Sequence, residues 1–267
     1  MLGRVLLLTR FPQISRRIRD YLNGDPGFST KARKSYEDFM HGSTTLFVEL
    51  LEGFFRRRPT RSVADTAESN VETAIQLLWF EEMQIVPQVH LVVDPTKQWR
   101  AGRNGFADMF VGNSKRQLNA SNSVLVMELK NVKLLYLWKA RQTNRNNEPT
   151  SQNDYEPLLS ELRKATEDQL LDLEYTYFDK ISRRLVTLKV RDTLQDATSQ
   201  LGRYIDIISN GQGGPARRGV DDDRVLCRDG GKDVLQGHVV VCVGGTRVIC
   251  RHMETKGTQY SYEAVRT

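Results

Sequence analysis

The chain has 267 residues, with 39 Lys+Arg against 33 Asp+Glu for a formal charge of +6, and is 39% hydrophobic and 27% charged. That length and composition allow one large domain, or a domain with an appendage, to bury a core without staples, and they exclude a disordered chain. No apolar run approaches a membrane span. The opening Leu2-Gly3-Arg4-Val5-Leu6-Leu7-Leu8 runs into Arg10 and Arg16-Arg17 with no small-residue cleavage site, so neither secretion nor membrane insertion is expected.

Residues 1–61 hold 12 Lys+Arg and 6 Asp+Glu, which is the whole positive excess; the remainder is balanced. This stretch reads as a basic helical N-terminal region. One helix is predicted over 10–22 from Phe11, Ile14, Ile18 and Leu22, and a second over 31–55 from Tyr36, Phe39, Leu46, Phe47, Leu50, Leu51 and Phe54. Such a stretch suits a phosphate-backbone partner, because each neutralised phosphate releases counterions, and it equally suits a solvated surface.

A second unit is expected over 62–267. A helix over 62–82 has Ala64, Ala67, Val71, Ala74, Ile75 and Leu78 at helical spacing, with Ser62 as its N-cap. Strands follow over 85–94, 105–112 and 123–130, rich in β-branched residues and separated by polar turns. Residues 131–185 change in composition and read as an insertion, with a polar loop over 142–154 and an amphipathic helix over 156–178. A long helix over 186–209 carries Leu188, Ala197, Leu201, Tyr204, Ile205 and Ile208 on one side. A Gly/Pro/Arg loop and two strands turning at Gly244-Gly245 close the chain.

Chemistry concentrates on two of these strands. Side chains alternate along a strand, so Glu128 and Lys130 point one way and Leu129 the other. If the strands pair as a hairpin, Asp108 lies beside Glu128. Two carboxylates that close repel each other and favour a hard divalent cation, Mg2+ or Mn2+, with water and phosphate in the remaining positions. A neighbouring lysine can stabilise phosphate charge or help to orient an attacking water. Taken alone a Glu-x-Lys triplet is ordinary surface. Its position at the end of the apolar run Val124–Met127, with an acid inside the preceding apolar strand, sets it apart, because charge beside apolar residues needs a partner.

An Asp on one strand and Glu-x-Lys on the next resembles the PD-(D/E)XK nuclease superfamily, here Asp108 and Glu128-Leu129-Lys130 over residues 63–251. Gly105-Phe106-Ala107-Asp108 and Val124–Lys130 look most like the branch found beside AAA-ATPase-like domains and in fungal effector-like proteins. The proline that gives the family its name is absent, Phe106-Ala107 standing before the Asp. The resemblance implies an α/β fold with an αβββαβ core, a mixed sheet flanked by helices. It implies a magnesium-dependent endonuclease or other nuclease, a hydrolase of phosphodiester bonds, with DNA the expected substrate and Mg2+ or Mn2+ bound by Asp108 and Glu128. Lys130 would assist the attacking water. Glu68 on the first helix, preferred over Glu72, would support the metal. Gln200 and Tyr204, at i and i+4, would face the site, Gln200 orienting it. Tyr204, Arg203, Arg217 and Arg218 would contact nucleic acid. No Walker-type Gly-Lys-Ser/Thr loop occurs, so an ATPase-like domain would be a partner or a fusion. The alternative is a nuclease-fold module with little or no catalysis that binds nucleic acid or protein.

Other features read as structural. His90 and His238 are expected as satisfied sheet histidines. Cys242, Cys250 and His252 lack a CxxC frame for zinc, and three free cysteines suit a reducing compartment, nuclear or cytoplasmic.

Overall fold

The computed structural model describes residues 27–57, 68–79, 84–98, 102–112, 123–142, 152–253 and 255–265. The helix expected over 10–22 and the cap at Ser62 lie outside these residues. The fold is mixed α/β, a sheet with helices on both faces. Among the described residues no helix is long and apolar enough to cross a membrane.

The N-terminal helices are α1 (Phe28–Met40) and α2 (Thr45–Arg56), where one continuous helix was expected. Gly42, at φ 84°, makes the break. The Gly42 amide donates to the Phe39 carbonyl and that of Ser43 to Asp38, the Schellman pattern that closes a helix at a left-handed glycine. Helix α3 (Glu68–Trp79) buries Val71, Ala74, Ile75 and Leu78, the i, i+3, i+4, i+7 stripe of the sequence.

Strands β1 (Gln84–Val92), β2 (Asn104–Gly112) and β3 (Ser123–Val132) form an antiparallel meander. After β3 come α4 (Leu134–Arg141), α5 (Glu156–Lys164) and α6 (Glu167–Asp172). The helix expected to reach 178 ends earlier. Residues β4 (Glu174–Asp179) and β5 (Arg184–Lys189) form a separate hairpin, since Tyr175-Thr176-Tyr177-Phe178 and Leu185-Val186-Thr187-Leu188 alternate between two faces. The long helix is therefore α7 (Val190–Ile208), opened by the Asp192 carboxylate, which accepts from the Lys189 amide at 2.9 Å.

Strand β6 (Gly219–Val220) extends the sheet beside β1. After β7 (Val225–Asp229), β8 (Val234–Val243) runs parallel to β3 along its whole length. Strand β9 (Arg247–His252) folds back on β8 through Gly244 and Gly245, at φ 59° and 63°, and β10 (Lys256–Gly257) continues that edge. Strand β11 (Tyr260–Ala264) pairs with β7 off the main sheet. The sheet order is β10-β8-β3-β2-β1-β6, with β9 also on β8.

The sheet separates two apolar layers. Helices α1, α2 and α3 pack on Met109, Leu125, Met127, Leu129 and Val240. Helices α4, α5 and α7 pack on Phe110, Val124, Val126, Val239 and Val241. Strands β3 and β8 are apolar on both faces because both are covered.

His238, on β8, departs from expectation. Its ring is fully buried and stacks on Phe39 with centroids 3.7 Å apart, but neither nitrogen has a hydrogen-bond partner. Desolvation, with the cross-strand neighbour His252, pulls its pKa from 6.5 down to about 3. The unfolded chain takes up a proton below pH 6.5 that the folded chain refuses until about pH 3. Stability is unaffected above that window and falls through it as pH drops, by up to ~5 kcal/mol. Urea midpoints of wild type and His238→Leu between pH 7 and pH 4 check this: the wild-type curve falls more steeply, and parallel curves refute it.

Candidate active site

The antiparallel ladder between β2 and β3 stops at Met109 opposite Met127, one residue short of setting Asp108 opposite Glu128. There the strands diverge. The Asp108 carboxylate fills the gap, its Oδ2 accepting from the Leu129 amide at 2.8 Å and its Oδ1 from Gln88 Nε2 at 3.2 Å. Gln88 itself has φ 49°, the left-handed region, so β1 is kinked at the same level.

Glu128 is fully buried. Its Oε1 accepts from Lys130 Nζ at 2.5 Å, and its Oε2 has no partner. Loss of water, reinforced by the charge of Asp108 and offset by Lys130, pushes its pKa up to about 7. Burial works against the charge of Lys130, but Glu128 outweighs it together with Glu68 and Asp108, so the amine stays firmly protonated.

Helix α3 brings its first turn to the same place. Glu68, though exposed, is raised by partial desolvation and by Asp108, and its charge reaches Lys130 and Glu128. Glu72 is raised by desolvation and by Asp108, and it accepts from Gln76 Nε2 at 3.1 Å. Of the two, Glu68 is the one whose field reaches the Glu-Lys pair.

The opposite wall is α7. Gln200 Nε2 donates to the Tyr204 hydroxyl at 3.0 Å, so the two share a face as their spacing requires. Tyr204 is raised by burial, against the bond from Gln200, and further by the charges of Glu128 and Asp108. Gly105 makes room for its ring: a Cβ there would stand 2.8 Å from Val93 and 3.2 Å from the Tyr204 ring.

The basic residues divide. Arg203 and Arg218 are exposed. Arg217 is exposed too but engaged by its neighbours, donating to the Asn210 carbonyl at 2.6 Å and to the Tyr260 hydroxyl, over whose ring its guanidinium lies. Arg103 ties this loop to the start of β2 through the carbonyls of Gly214 and Pro215. Sequence reasoning passed over Gln88; the signal was Pro87, since a proline inside a strand marks an edge or an irregularity.

Among the described residues no group of three or more His, Cys, Asp and Glu side chains stands close enough to form a ready metal site. A groove of about 340 Å3 lies elsewhere, between Glu161 and Leu173. No protein-family model, curated protein or solved structure matches the chain.

Proposed function

We propose that the chain is a metal-dependent nuclease of the PD-(D/E)XK kind that hydrolyses phosphodiester bonds, with DNA as its substrate. The observation that carries this reading is the meeting of Asp108, Glu128 and Lys130 where β2 and β3 diverge, with Gln200 and Tyr204 opposite. The order of elements supports it too: helix, three antiparallel strands, helix, and a strand parallel to the third.

The donors suit a hard cation. Mg2+ takes one or two carboxylates and leaves its other positions to water and phosphate, and Asp108 and Glu128 supply such a pair. The partnerless Glu128 Oε2 and the raised pKa of that group are both what a nearby cation would relieve. Glu68 stands at the margin as a further support. A bound divalent ion would neutralise phosphate charge and acidify water at the site. Lys130 offers a fixed positive charge to the reacting phosphate, Gln200 and Tyr204 position its surroundings, and Arg203 and Arg218 add affinity for the backbone.

Thermal unfolding with and without Mn2+, paired with plasmid nicking, tests the reading. Saturating Mn2+ stabilises the wild type by about 2–3 kcal/mol at a hundredfold excess over its Kd, and nicking depends on the ion. The Asp108→Asn/Glu128→Gln double variant shows neither effect. A wild type that Mn2+ neither stabilises nor activates overturns the proposal.

A further inference from the structure

The β4–β5 hairpin stands apart from the main sheet and ends in the turn Asp179-Lys180-Ile181-Ser182-Arg183-Arg184. Its root is fixed. Tyr175 and Tyr177 stack at 5.8 Å, Tyr177 meets Tyr136 of α4, and the Tyr175 hydroxyl bonds that of Thr193 on α7 at 2.7 Å. Its tip is bare. Ile181 is 94% exposed, and the cross-strand neighbours Phe178 and Leu185 are 58% and 48% exposed.

Three exposed cations, Lys180, Arg183 and Arg184, surround this apolar tip. The tip's one carboxylate, Asp179, is spent on the turn, accepting from the amides of Ile181 and Ser182. Arg183 sits at φ 53°, where glycine would be easier. An apolar point ringed by positive charge complements a polyanion with an apolar interior, which is a base-paired nucleic acid: cations hold the phosphates and an aliphatic side chain wedges between base steps. The arm is also rooted on the catalytic elements. Strand β5 runs straight into α7, which carries Gln200 and Tyr204, and α4 begins four residues after Lys130.

We infer that the β4–β5 hairpin is a nucleic-acid-engaging arm, with Ile181 as its wedge and Lys180, Arg183 and Arg184 as its phosphate contacts. This rests on the nuclease reading for the identity of the polyanion. Fluorescence anisotropy of the full chain with a labelled DNA duplex in EDTA separates binding from cleavage. Ile181→Ser should weaken binding roughly tenfold. The triple variant Lys180→Gln/Arg183→Gln/Arg184→Gln should lower the salt slope, log K against log salt, by about 2–3. Both substitutions lie on exposed positions and leave the unfolding midpoint in place. Variants that bind the duplex like wild type overturn the arm even if the protein cuts DNA. Weakened binding in a protein that never cuts DNA upholds the arm and defeats the nuclease. Loss of binding to phosphatidylserine vesicles with duplex binding unchanged assigns the tip to a membrane surface and overturns the inference.

Discussion

If the chain is the nuclease proposed above, Lys130→Met is expected to lower divalent-ion-dependent DNA cleavage by about 10²–10³-fold, the usual cost of removing one fixed charge or donor aimed at a developing transition state. The amine is 2.5 Å from Glu128 Oε1 and keeps its proton in the field of three carboxylates, so methionine removes a fixed positive charge from beside Glu128. The fold survives, because Glu128, already pushed up to about 7, answers the loss of its partner by taking a proton. Single-turnover cleavage of a labelled duplex by wild type and variant, with circular dichroism to confirm folding, measures the effect. Wild-type rates in a folded Lys130→Met protein would remove Lys130 from the chemistry.

Phe39→Ala costs about 3–5 kcal/mol of stability, the range for truncating a fully enclosed aromatic ring. Phe39 is wholly buried, with its centroid 4.7 Å from Phe47, 5.0 Å from Trp79 and 3.7 Å from His238. It therefore joins α1 to α2, to α3 and to the middle of the sheet at one point. Phe178→Ala, at an exposed ring, changes stability by less than about 0.5 kcal/mol and serves as the contrast. Equal urea midpoints for the two variants would mean that the N-terminal helices contribute nothing to the core.

The strand pattern was readable because short β-branched and apolar runs bounded by polar turns survive in the amino-acid order. The apolar run up to Met127, followed by Glu128 and Lys130 on one face, foretold both the central strand and the direction of its charges. Gln200 and Tyr204 were legible at helical spacing. Residues 174–178 were not, since Tyr175 and Phe178 follow Leu171 at four- and three-residue steps and fit a continuing helix as well as an alternating strand. Gly42 could have been read as a stop, but the apolar rhythm on either side of it masks the break. Two further features depend on distant packing. His238 lies in a dry site only because α1 lays Phe39 over it, and the kink at Gln88 depends on how β1 and β2 lose step together. The docking of α1 and α2 leaves no local trace, because a stripe that faces a sheet looks like one that faces another helix.

The Asp108–Leu129 contact gives one aspartate two duties. Its oxygen is the last rung joining two strands as well as a negative charge in the cleft. Alanine at 108 would withdraw both together, so a dead variant could mean a frayed sheet as readily as a missing ligand. Asparagine keeps an oxygen to receive the amide and discards only the charge, which separates architecture from chemistry at a single position.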